Sequence, residues 1–253
     1  ILKKTKIVAT IGPASDSEEM LERLINLVVN VMRLNFSHGT HEEHQLRIDR
    51  IKKVREKLNV PVAIMLDTKG PEIRIGIFKN GKIFINQGQK FTLTTEEVEG
   101  DETKVSVSYK EISNDVVVGG RVLIDDGLVE FNIVDKDEKN VHMVAVNSGE
   151  LSDRKGVNIP DAKVKLPALT SSDISDIIFG IKNDVDYIAA SFIRTREDVL
   201  SIRRILEEND GYKIGVISKI ENREGVHNMD AILEVSDGIM IARGDLGVEI
   251  NPE

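Results

Sequence analysis

Lys213-Ile-Gly-Val-Ile-Ser-Lys219-Ile-Glu221-Asn222 reads as an apolar strand that ends in a lysine and a carboxylate. Side chains alternate across a strand, so Lys219 and Glu221 share one face. Ile217 and Ile220 place apolar groups on both faces, the pattern of a strand covered on both sides in a parallel sheet. Charges at the end of such a strand are costly to bury without a partner or a task. Gly238-Ile-Met-Ile-Ala-Arg243-Gly-Asp245-Leu-Gly247 repeats the pattern and reads as a strand running out to Arg243 and Asp245. Two neighbouring strands would then deliver Glu221 and Asp245 to one rim, with Lys219 beside them. Two carboxylates and a lysine suit a divalent metal together with a phosphate.

Working outward, strands and helices alternate on both sides of this stretch. Residues 6–11 form a short apolar strand stopped by Gly12-Pro13, and Ser15 and Ser17 offer caps for a helix carrying Met20, Leu21, Leu24, Ile25 and Val28. A second strand follows in which Arg33, Asn35 and Ser37 share one face and Leu34 and Phe36 the other. Residues 41–58 make a helix, and residues 60–68 a third strand ending at Asp67 and Thr68. Helical periodicity then vanishes. Short alternating runs and an Asp126-Gly127 hairpin signal mark an all-β region. The α/β pattern resumes at Thr170, where Thr170 and Asp173 form a capping-box pair ahead of Ile174, Ile177, Ile178 and Ile181.

The expected class is α/β: a (β/α)8 TIM barrel with about six of its eight strands visible. An all-β lid domain interrupts it. The expected divisions are 1–70 and 167–253 for the barrel and 71–166 for the inserted β domain. The chain stops at Asn251-Pro-Glu253 without a capping element, which reads as a barrel cut short.

Composition narrows the function classes. The 253 residues are 40% hydrophobic and only 4% aromatic, enough for a large core and for two domains. Asp and Glu outnumber Lys and Arg by 43 to 34, a net charge of -9. That balance argues against a nucleic-acid or membrane partner, because no basic excess draws in phosphate backbones. The absence of cysteine excludes disulfides, thiol catalysis and zinc–thiolate sites. A cytoplasmic protein is the default expectation.

Five segments together resemble the pyruvate kinase family: Lys6-Ile-Val-Ala-Thr-Ile-Gly-Pro-Ala-Ser15, Arg33-Leu-Asn-Phe-Ser-His-Gly-Thr40, Leu66-Asp-Thr-Lys-Gly-Pro-Glu-Ile-Arg74, Ile217-Ser-Lys-Ile-Glu-Asn222 and Ala242-Arg-Gly-Asp-Leu-Gly-Val-Glu249. They run in the family's order and at its spacings along the whole chain. The resemblance implies transfer of the phosphoryl group of phosphoenolpyruvate to ADP, giving pyruvate and ATP in glycolysis. It implies Arg33 as a phosphate-binding arginine and Lys219 as the catalytic lysine on the transferring group. Arg74 and Lys155 would face phosphates, and the Gly244 backbone would lie near the substrate carboxylate. Glu221 and Asp245 would bind Mg²⁺ (or Mn²⁺), and Asn35, Ser37, Asp67 and Thr68 would hold K⁺. Glu72 accompanies potassium dependence in this family, and the full-length family is usually a homotetramer. The family usually closes its first helix with a glycine; Val28 stands there instead.

Other readings stay open at this point. A metal-dependent barrel lyase acting on phosphoenolpyruvate or pyruvate could share the carboxylate pair, and a shortened chain could bind ligand without turnover. Lys219 with Glu221 could be a structural ion pair. His38, His41 and His44 read as a solvated helix face rather than a metal cluster.

Overall fold

The computed structural model describes residues 4–250; residues 251–253, on which the expectation of a truncated end rests, lie outside the described residues. The chain begins with β1 (Ile7–Thr10), α1 (Glu18–Asn26), β2 (Val29–Asn35), α2 (His41–Leu58) and β3 (Ala63–Asp67). Next come β4 (Lys82–Ile85), β5 (Lys90–Thr94), β6 (Lys104–Ser106), the short helix α3 (Ile112–Asp115), β7 (Arg121–Ile124), β8 (Val129–Lys136), β9 (Asn140–Ala145), β10 (Gly149–Ser152) and β11 (Val157–Asn158). The last part holds α4 (Ser171–Lys182), β12 (Tyr187–Ala190), α5 (Arg196–Glu208), β13 (Gly215–Ile220), α6 (Arg223–His227), α7 (Met229–Leu233), β14 (Gly238–Ile241) and α8 (Arg243–Glu249). These elements form two compact units. One takes in the residues up to Gly70 with 168–220 and 228–241; the other takes in 71–167, 221–227 and the segment from Ala242.

The first unit is built on one sheet in the order β1-β2-β3-β12-β13-β14, every neighbouring pair parallel. Parallel neighbours require crossovers, and α1, α2, α4, α5 and the α6–α7 pair lie between successive strands in sequence. This is the strand–helix order of a (β/α)8 barrel, with six strands present. Its core is aliphatic: Met32, Leu34, Ile48, Ile51, Ile64, Leu66, Ile188 and Val216 are all fully buried. The helices start where the sequence tells them to. Thr40 with Glu43, Thr170 with Asp173 and Thr195 with Asp198 each form a complete capping box. The segment after Asn222 differs from expectation, since it makes two short helices rather than one.

At the foot of the sheet, where the strands begin, one device recurs. Asp186, just before β12, donates its N–H to the Ile64 carbonyl at 2.9 Å and accepts the Ile64 N–H on Oδ2 at 2.7 Å. Asp237, just before β14, makes the same exchange with Val216 at 2.9 and 2.7 Å. Arg55 of α2 reaches Asp186 at 3.4 Å, and Arg203 of α5 reaches Asp237 at 2.9 Å. One carboxylate thus fixes strand register and fastens an outer helix. Asn30 repeats half of the exchange, accepting the Ile7 N–H at 2.8 Å. A cavity of about 640 Å³ opens beside these feet, and its charged lining is Asp184, Asp186, Asp210, Asp237 and Lys213.

The second unit is β-structured in its continuous part apart from the short helix α3. β10 pairs with β4, and β11-β7-β8-β9-β5-β6 form a second sheet. The expected hairpin is there: β7 and β8 run antiparallel around Asp125, Asp126 and Gly127, all at positive φ. Its core is separate, with Phe91 stacked on Phe131 at 5.6 Å between ring centroids.

The first helix ends as a glycine-closed helix would, but on a valine. Val28 sits at φ 69 and donates its N–H to the Ile25 carbonyl at 3.0 Å. A β-branched side chain in the left-handed region is strained by about 1–2 kcal/mol. Val28 and Leu27 are also exposed, so packing returns little of that cost. Val28→Gly is therefore expected to raise the melting temperature by about 2–4 °C per kcal/mol of relieved strain, read by circular dichroism. An unchanged or lower melting temperature would refute the strain.

Candidate active site

The head of the sheet, where the parallel strands end, gathers polar groups on Asp67. Asp67 is the last residue of β3 and fully buried. Arg33 of β2 donates from Nε to Asp67 Oδ2 at 2.5 Å and from a terminal nitrogen to Thr10 Oγ1 at 2.7 Å. Lys219 of β13 donates from Nζ to Asp67 Oδ1 at 3.0 Å. Lys219, a residue 8% exposed, is thus held by a carboxylate 152 positions earlier in the chain. Burial of a single carboxylate is compensated here by two cations.

The oxygens expected around a monovalent cation come from the same strand ends. Asn35 and Asp67 are register partners across β2 and β3. Asn35 Oδ1 accepts the Ser37 N–H at 3.1 Å, and Thr68 follows Asp67 directly. The Thr68 carbonyl accepts a hydrogen bond from Ser191 Oγ at 2.6 Å. Ser191 also accepts from Lys219 Nζ at 2.9 Å. Sequence reading overlooked Ser191. It follows the last residue of β12 as a lone serine after two alanines, and only the strand-end position could have pointed to it.

Two of the three histidines depart from the expectation of a solvated face, while His38 is exposed as expected. His44 is 2% exposed, stacks on Phe36 at 3.9 Å and 9°, and lies 2.8 Å through Nε2 from the His38 carbonyl. A carbonyl only accepts, so Nε2 carries the hydrogen. Burial lowers its pKa below 6.5, the nearby Arg47 adding to the effect and the His38 hydrogen bond opposing it. His41 meets Asp176 of α4 at 2.6 Å and stacks on Phe179. Burial raises the Asp176 pKa, with His41 opposing the rise. The reason for the difference is aromatic: Phe36 and Phe179 give the rings an apolar bed that charge patterning alone does not reveal.

The remaining expected residues lie in the second unit. Arg74 and Lys155 come close through the Arg74–Gly156 bridge and the Ile75 N–H bond to the Lys155 carbonyl at 2.9 Å. Each already has a carboxylate: Glu72 for Arg74 at 2.5 Å and Asp125 for Lys155 at 2.9 Å. Glu221 is 1% exposed and directly follows β13. Asp245 does not extend a strand, contrary to expectation. β14 stops at Ile241, and Gly244 and Asp245 fall in the first turn of α8, where the Leu246 N–H bonds back to the Ala242 carbonyl at 3.0 Å. One turn beyond Asp245, the buried Glu249 accepts from Asn158 Nδ2 at 2.8 Å. Burial raises the Glu249 pKa against the Asn158 hydrogen bond. No group of three or more His, Cys, Asp or Glu able to hold a metal occurs among the described residues.

A family model described as pyruvate kinase, barrel domain, matches residues 2–253. The chain belongs to the pyruvate kinase family. It is 55% identical to the pyruvate kinase of Staphylococcus haemolyticus and 56% identical to that of Staphylococcus aureus, in each case over all of this chain. The pyruvate kinase of Staphylococcus epidermidis is likewise 55% identical. The chain spans 43% of the length of each of these relatives. Among the described residues, no helix is long and apolar enough to cross a membrane.

His44 supplies a test of the strand-head architecture. Its folded pKa is depressed, so the stability of the neutral ring is present above the ordinary value and is lost as pH falls through the lowered one. His44→Phe keeps the stack and removes both the titration and the hydrogen bond to His38. The variant is expected to lose about 1 kcal/mol at pH 8 yet to fall less steeply than wild type toward about pH 5, in melts followed across that range. Parallel curves would show that His44 does not titrate on unfolding.

Proposed function

We propose that the full-length protein is a pyruvate kinase that moves the phosphoryl group of phosphoenolpyruvate to ADP. The observation that carries this reading is the placement of Arg33 and Lys219 on one buried carboxylate at the strand heads of a chain in this family. Phosphoryl transfer asks for positioning and charge neutralisation more than for covalent chemistry. Arg33 offers a planar fork to phosphate oxygens, and Lys219 a compact charge for the group in flight. In the reaction, phosphorus leaves the enol oxygen for a terminal oxygen of ADP. The enol then becomes the ketone of pyruvate, which makes the transfer downhill.

Two cations fit the donor sets. Glu221 and Asp245 supply two carboxylates, leaving room for the water and phosphate ligands that Mg²⁺ (or Mn²⁺) favours. Asn35, Ser37, Asp67 and the Thr68 carbonyl are oxygen donors suited to K⁺, and two of these residues, Asn35 and Asp67, lie at paired strand ends. When bound, the cations neutralise charge on the phosphates. The chain's own groups orient the substrates: Arg33, Arg74 and Lys155 toward phosphate, and the Gly244 backbone toward the substrate carboxylate. Glu72 holds Arg74 at 2.5 Å, which leaves the extra positive charge to come from K⁺. The domain reading goes with this function, with 71–166 as the inserted β lid domain and 1–70 with 167–253 as the barrel domain. A cytoplasmic, homotetrameric whole protein accords with the cysteine-free, acidic composition and with the family.

Two substitutions in the full-length protein test these roles. Lys219→Met is expected to lower kcat by about three orders of magnitude while KM changes much less, because it meets charge that develops in the transition state. A variant raised in KM alone would make Lys219 a ground-state binding residue. Asp245→Asn is expected to weaken Mn²⁺ binding about tenfold or more in a direct titration, with the melting temperature nearly unchanged. Wild-type metal affinity would remove Asp245 from the site.

A further inference from the structure

Ser191 is fixed from several directions. Its N–H donates to Thr68 Oγ1 at 3.1 Å. Gly70, at φ 76, presses its backbone close: a Cβ there would lie 2.8 Å from Ser191 Cβ. The next residue, Phe192, is held at φ 55, a region that aromatic residues seldom enter and that tends to persist only where the surroundings enforce it. The hydroxyl is buried and has one hydrogen to give. The Thr68 carbonyl at 2.6 Å takes it, in preference to Asp67 Oδ1 at 3.3 Å. The oxygen is then left as an acceptor for Lys219 Nζ at 2.9 Å.

Given the phosphoryl-transfer reading of Lys219 and Thr68, we infer that Ser191 is a positioning residue that couples the cation site to the lysine. The Thr68 carbonyl has two lone pairs, so it can accept from Ser191 and still face a cation. A cation there fixes the carbonyl, the carbonyl fixes the direction of the hydroxyl hydrogen, and the hydroxyl oxygen is turned to the ammonium. Without the hydroxyl, Thr68 loses the donor that orients it and Lys219 loses an acceptor. Both losses come from one atom, so the response to K⁺ and the turnover should fall together.

The test uses the full-length protein with Ser191→Ala and Ser191→Cys. The rise in melting temperature with KCl over NaCl, without substrates, reads cation binding apart from activity. Kinetics at varied K⁺ gives the half-saturation and the kcat at saturation. Ser191→Ala is expected to raise the K⁺ half-saturation about tenfold in both measurements and to lower saturated kcat about tenfold, the scale of one buried hydrogen bond to a charged group. Ser191→Cys fills the space but is a weak donor, so it is expected to follow the alanine variant. A cysteine variant with wild-type potassium response would assign the effect to volume and overturn the coupling. So would an alanine variant that loses turnover while keeping its potassium half-saturation. A wild-type protein indifferent to K⁺ would remove the potassium reading itself, and the coupling with it; a responsive wild type matched by both variants would overturn the coupling alone.

Discussion

A single buried carboxylate organises the head of the first unit. Asp67 has no exposure, and its two oxygens take Arg33 from one side and Lys219 from the other. Removing either cation from such an arrangement typically costs about 3–5 kcal/mol, because it leaves buried charge poorly compensated. That requirement links β2, β3 and β13 through side chains as firmly as the backbone ladder links neighbouring strands. It also sets the orientation of the two groups proposed to meet phosphate. An ammonium shared between a carboxylate and a hydroxyl has little freedom left, and loss of freedom beforehand is what positioning catalysis requires.

The second unit treats its cations differently. Arg74 and Lys155 sit on strand-edge segments and are each held by a carboxylate, Glu72 or Asp125, at positions more exposed than Asp67. Pairs of this kind are worth little to stability and exchange readily with competing anions. Arg74 and Lys155 are thus kept in place by partners that can be exchanged.

Much of this was legible in the sequence, and the failures have physical causes. Periodicity revealed the parallel sheet because buried strands carry apolar residues on both faces, as β13 does. Caps were legible because each is local: Thr170 and Asp173 lie three apart. Arg33 and Lys219 stood out because charge at the end of a buried strand is rare. Their shared partner did not, since no local pattern links residues 152 positions apart. Asp245 was misplaced on a strand because the preceding apolar run masked the turn into α8. His44 was taken for surface because its neighbours in sequence are charged, whereas its neighbours in space are Phe36 and the His38 carbonyl. Ser191 carried no signal of its own.

The clamps at the strand feet tie two layers of the first unit to the same carboxylates. Asp186 holds the backbone of Ile64 and pairs with Arg55 of α2, and Asp237 holds the backbone of Val216 and pairs with Arg203 of α5. A one-residue slip of a strand turns its buried side chains to the other face. Here such a slip would also break the exchange with the aspartate and release an outer helix. A misaligned strand in this sheet is thereby penalised in both layers at once.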